Sequence, residues 1–82
     1  MPKRFVYVLR SLAEPDRPYV GLTSDVTKRL DAHNAGLSPH TAKYRPWTLV
    51  VSIEFPGELI AVRFERYLKS GSGRAFAQRH FE

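Results

Sequence analysis

Five side chains that are poor choices for filling a small core recur along this sequence: Tyr7, Tyr19, Arg29, His33 and Glu65. Tyr7 sits in Val6-Tyr7-Val8 and Tyr19 in Tyr19-Val20-Gly21, each within a β-prone run. Arg29 and His33 stand four apart in Lys28-Arg29-Leu30-Asp31-Ala32-His33-Asn34, and Glu65 follows on an otherwise apolar helix face. Together they supply the parts of metal-assisted phosphodiester cleavage: a base for water, a cation for the phosphate and one ligand for a divalent ion. Each also has a plainer role. Either tyrosine is an ordinary strand residue when taken singly, and Arg29 with His33 reads equally as a surface arginine beside a satisfied boundary histidine.

Helical spacing sharpens two of these positions. With Val26, Leu30 and Leu37 facing a sheet, Arg29 falls about 60° and His33 about 20° to one side of Val26. One turn apart, their side chains converge at the rim of the buried face. On the later helix, Ala61, Phe64 and Leu68 form the apolar stripe and Glu65 lies on its shoulder. An acid there is costly unless it is paired or bound to a cation. Both a metal ligand and a salt bridge to Arg29, Arg63 or Arg66 answer that requirement.

The elements that must position these groups are short. Phe5–Leu9 reads as a buried strand, and Glu14-Pro15-Asp16-Arg17-Pro18 as a turn cluster. Tyr19–Leu22 then forms a second strand, paired with the first as a hairpin. Thr23 or Ser24 is placed to cap a helix that begins near Asp25 and stops at Gly36. Residues 37–46 read as a cationic, aromatic loop. Trp47–Phe55 is the strongest strand signal, Pro56-Gly57 turns it into a helix over Glu58–Lys69, and Ser70-Gly71-Ser72-Gly73 breaks that helix before a last one over Arg74–Phe81. The order ββαβαα predicts an α+β fold, a small antiparallel or mixed sheet flanked by helices.

At 82 residues the chain makes one domain, 1–82, and 43% hydrophobic residues is a folding composition. There is no cysteine, which excludes thiol catalysis and Cys-based zinc sites and fits a reducing cytoplasm. The apolar run near the N-terminus stops at Arg10, too short for a signal-peptide core or a membrane span, so the chain is expected to be soluble and cytoplasmic. Thirteen Lys and Arg residues against 8 acids give a net charge of +5, which favours a polyanionic partner. Lys43, Tyr44, Arg45 and Trp47 are candidates for holding a nucleic-acid backbone or stacking a base, with a structural Trp47 as the alternative. Gly21, inside a strand, marks a close backbone approach. Ser70–Arg74 offers backbone N–H groups beside a helix start, a phosphate contact through Arg74 or a simple interhelical turn.

In order and spacing these parts resemble the GIY-YIG nuclease superfamily over nearly the whole chain. Val6-Tyr7-Val8 and Tyr19-Val20-Gly21 stand where that family has its two short motifs. Arg29 and His33 match its helical arginine and the His or Tyr one turn later, and Glu65 matches its metal-binding glutamate. The tail Lys69–Phe76 is similar to the small stand-alone bacterial branch. The chain departs from the pattern at Val6, near the usual glycine, and at Leu22, where some members carry a lysine. The resemblance implies a three-stranded antiparallel sheet flanked by helices and cleavage of DNA dependent on Mg²⁺ or Mn²⁺. In it Glu65 holds the ion, Arg29 and His33 assist at the phosphate, and Tyr7 or Tyr19 acts on the attacking water. Tyr19 is favoured because Gly21 leaves open space beside it, and Gly21, Lys43, Arg45 and Arg74 contact the nucleic acid. A protein partner that supplies substrate specificity is also implied. A non-catalytic nucleic-acid-binding or adaptor domain of the same fold is the alternative.

Overall fold

Strand β1 (Arg4–Ser11) runs between β2 (Pro18–Thr23) and β3 (Trp47–Phe55), and both pairings are antiparallel, giving the sheet order β2-β1-β3. The computed structural model describes residues 3–81. Alternation along β1 divides its side chains between two half-cores. Val6 and Val8 point to one face, with Val20, Leu22, Val50, Val51 and Phe55 from the neighbouring strands. Tyr7 and Leu9 point to the other, with Tyr19 and Trp47. Tyr7 pairs with Gly21 and Leu9 with Tyr19, so the two tyrosines share a face, one register step apart. Between Val8 and Leu9 the pairing with β3 shifts by one residue.

Helix α1 (Val26–Asn34) covers the tyrosine face through Val26 and Leu30. Asp25, rather than Thr23 or Ser24, is its N-cap, accepting a 3.0 Å hydrogen bond from the Lys28 amide. Gly36, with φ +80°, ends it in a Schellman turn in which the amides of Gly36 and Leu37 bond the carbonyls of His33 and Ala32. That reversal removes Leu37 from the helix, and Leu37 is 74% exposed instead of facing the sheet. The expected loop over residues 37–46 contains a short helix α2 (Pro39–Ala42), with proline in its first turn.

Helix α3 (Glu58–Lys69) packs Ala61, Phe64 and Leu68 on the Val6/Val8 face, as the stripe predicts. Helix α4 (Gly71–Phe81) adds Phe76, Ala77 and Phe81 to the same half-core. The glycines of Ser70–Gly73 therefore do not form the break: only Ser70 interrupts, and Gly71 to Gly73 are the first turn of α4. Ser70 acts as the cap, its Oγ accepting from the Gly73 amide at 3.2 Å. Glycine is needed at position 73 for packing, because a Cβ there would lie 1.7 Å from the Tyr67 carbonyl oxygen.

Candidate active site

The rings of Tyr7, Tyr19 and His33 gather on the α1 side of the sheet. Their centroids lie 6.2 Å apart for the two tyrosines, 6.0 Å for Tyr7 and His33, and 4.8 Å for Tyr19 and His33, the last pair edge to face. Strand alternation supplies the tyrosines, and His33 arrives from the last turn of α1, fully buried. Both of its ring nitrogens are engaged: Nε2 is 3.0 Å from the Tyr7 hydroxyl and Nδ1 is 2.8 Å from Thr41 Oγ1. His33 is therefore not disposed to hold a metal ion.

Burial pushes the Tyr7 phenol above the ordinary tyrosine value, and the charges of Tyr19 and Glu65 add to that. The Arg29 guanidinium, close beside the hydroxyl, works the other way by favouring the phenolate. The same contact raises Arg29 further above its normal range. His33 is held below the usual imidazole value, first by burial and then by the positive charge of Arg29, so it is neutral near pH 7.

Tyr7, Tyr19, Arg29 and His33 thus form one cluster, with Arg29 on its exposed rim. Glu65 lies on α3, which packs on the opposite face of the sheet, and its charge adds only slightly to the rise of the Tyr7 phenol. Its ion-pair partner is Lys69, one turn later, at 3.2 Å, and not Arg29, Arg63 or Arg66. The Glu65 side chain keeps 20% of its surface exposed. Among the described residues no group of three or more His, Cys, Asp or Glu side chains is placed to hold a metal. One accessible carboxylate fits an ion whose remaining positions are filled by water and phosphate oxygens, as Mg²⁺ accepts.

Other expectations are corrected. Gly21 is buried, and the space beside it is not open: the Tyr7 phenol fills it. A Cβ at position 21 would lie 2.3 Å from Tyr7 Oη and 2.4 Å from Cζ. Gly21→Ala is accordingly expected to cost about 1–3 kcal/mol through overpacking, measured by urea unfolding. Wild-type stability in that variant would refute the account of Gly21. Trp47 does not stack on a base, being buried with its Nε1 donating to the Thr41 carbonyl at 2.9 Å.

Lys43 and Arg45 make their contacts within the segment that follows α1. Lys43 Nζ lies over the Tyr44 ring at 5.3 Å, and Arg45 donates from Nε to the Ala42 carbonyl while its guanidinium covers Gly36. Arg74, exposed in the first turn of α4, borders a groove of about 820 Å³ together with Arg10, Arg17 and Lys69.

Two residues of the site escape a reading by residue type. Thr41 is buried against His33, and Asn34 fastens the following segment by donating to the Trp47 carbonyl at 3.0 Å and accepting from its amide at 2.6 Å. The available signal was the buried imidazole itself, which requires two polar partners.

Comparison with known families decides the affiliation, because the GIY-YIG catalytic domain matches residues 3–79. The chain belongs to the GIY-YIG family. Among curated relatives of this GIY-YIG chain, the structure-specific endonuclease subunit SLX1 of Candida dubliniensis is 38% identical over 82 residues, covering 92% of this chain and 27% of the relative. The protein of the same name from Malassezia globosa is 46% identical over 70 residues, covering 78% and 16%. The chain thus spans about a quarter or less of the length of these relatives. The solution NMR structure of the UPF0213 protein BH0048 from Bacillus halodurans superposes with a TM-score of 0.56 at 31% identity, covering 93% of this chain and 80% of that one. The GIY-YIG fold expected from the sequence, an α+β fold with a three-stranded antiparallel sheet flanked by helices, is the one observed. Among the described residues no helix is long and apolar enough to cross a membrane.

Proposed function

We propose that this GIY-YIG domain is a divalent-metal-dependent endonuclease that hydrolyses phosphodiester bonds of DNA selected by structure, in DNA repair or processing. The observation that carries this is the convergence of Tyr7, Tyr19, Arg29 and His33 on one sheet face. The name of the fungal relatives supports a structure-selected substrate, and the word subunit in it supports a partner protein that supplies specificity. The absence of cysteine supports a cytoplasmic location.

Glu65 is the residue to hold Mg²⁺ or Mn²⁺, which when bound would polarise the phosphate and acidify water. Arg29, at the exposed rim, meets the phosphate and stabilises the negative charge that builds in the transition state. Tyr7 is 1% exposed and engaged with His33, so it anchors the site and does not touch water. Tyr19 is only half-buried, which makes it the tyrosine able to orient or deprotonate the attacking water. Its access to solvent, not a void beside Gly21, is the ground for that choice.

The test is a panel of branched, flapped, single-stranded and duplex DNAs incubated with Mg²⁺, Mn²⁺ or EDTA. Cleavage of branched or flapped DNA that EDTA abolishes is expected. Gel shifts with every phosphodiester intact would establish the adaptor reading instead.

A further inference from the structure

The hydrogen bonds around His33 form a chain whose direction follows from counting donors and acceptors. Tyr7 is 1% exposed, and its hydroxyl lies 3.0 Å from His33 Nε2 with the Arg29 guanidinium beside it. A guanidinium only donates, so the phenolic proton must go to Nε2. A neutral imidazole carries one proton, which then sits on Nδ1 and is donated to Thr41 Oγ1 at 2.8 Å. Thr41 passes its own proton to the Ser38 carbonyl, a long bond of 3.4 Å. The constraint that orders the chain therefore lies at its Arg29 end, and the acceptor that completes it is Thr41.

We propose that Thr41 is a positioning residue, whose hydroxyl accepts the His33 Nδ1 proton and so holds the ring with Nε2 aimed at the Tyr7 hydroxyl. The surroundings hold it in that role. Thr41 and His33 are 1% and 2% exposed, so water does not replace the hydroxyl. The Thr41 carbonyl is tied to Trp47 Nε1, and the Trp47 backbone is tied at both its amide and its carbonyl to the Asn34 side chain, next in sequence to His33. The histidine and the acceptor of its Nδ1 proton are thereby braced against each other. Without the hydroxyl the Nδ1–H is left without an acceptor in a buried site, and the ring is expected to turn away from Tyr7 toward another one. The phenolic proton would then have no acceptor, and the hold of Tyr7 on Arg29 would loosen.

Long-range ¹⁵N–¹H correlation spectra of the whole chain distinguish the two ring nitrogens of His33. Wild type and Thr41→Ser are expected to carry the proton on Nδ1 and to show it as a downfield, slowly exchanging signal, which Thr41→Val loses. A wild-type ring protonated on Nε2, or a Thr41→Val ring whose Nδ1–H signal is that of wild type, would overturn the proposal. The wild-type spectrum decides this even if the valine variant does not fold. The kinetic consequence rests on the nuclease reading: kcat of Thr41→Val is expected to fall up to about 100-fold, what a small misplacement at a reacting centre costs, with KM unchanged and Thr41→Ser restored. If wild type cuts none of the DNAs, that reading fails while the tautomer still judges Thr41.

Discussion

Tyr19→Phe should lose DNA cleavage by roughly 10²–10⁴-fold, the range general acid–base catalysis is worth, with no measurable change in melting temperature. Phenylalanine keeps the ring that packs edge to face on His33 at 4.8 Å and near Trp47 at 6.2 Å, and deletes only a hydroxyl on a half-buried side chain. Tyr7→Phe should behave in the opposite sense. Its hydroxyl is the partner of a fully buried imidazole nitrogen, so its removal leaves Nε2 unsatisfied at a cost of about 1–3 kcal/mol. Cleavage falls too, through misplacement of Arg29, but by less than in Tyr19→Phe. Single-turnover rates and urea unfolding of both variants check the pair. Cleavage at wild-type speed by Tyr19→Phe would remove it from the reaction, and an unaltered unfolding curve for Tyr7→Phe would remove the anchoring role.

Glu65→Gln should abolish metal-dependent cleavage while leaving the fold and most DNA affinity in place. Glu65 is the acid proposed to hold the divalent ion, and glutamine keeps its size while removing its charge. Stability should barely respond, because the pair with Lys69 is an i,i+4 surface bridge with Lys69 53% exposed, and such pairs contribute about 0.3–0.5 kcal/mol. The variant is to be assayed with Mg²⁺, in gel shifts and by thermal melting. Retained activity with Mg²⁺ would take Glu65 out of the ligand role, and a large fall in melting temperature would assign it to structure.

Sequence reading reached the fold because its signals are local. The β-branched and aromatic runs of β1 and β3 and the stripe of Ala61, Phe64 and Leu68 each belong to one element, and the limits of β3 and α3 follow directly from them. Where it went astray, a contact distant along the chain decided the outcome. Gly73 looked like a helix breaker but serves the approach of α4 to Tyr67. Gly21 looked like room for substrate, yet the occupant is a side chain from the neighbouring strand, fixed by the Tyr7–Gly21 register. Thr41 was invisible because no periodicity links it to His33; the turn at Gly36 and the short helix α2 bring them together. The aromatic character of Trp47 gave no indication of which way its ring faces.

The division of β1 between its two faces also bears on how this domain tolerates change over evolutionary time. Val6 and Val8 sit in a half-core of aliphatic and phenyl groups, where volume and shape are the only requirements and conservative exchanges cost little. One residue over, Tyr7 answers to atom-level demands from Arg29, His33 and Gly21 at once. A single strand thus alternates between drift and constraint with a period of two. Descendants of this chain are free to acquire mutational robustness on the α3/α4 side, and that reserve of stability can absorb the burden of new polar groups on the other.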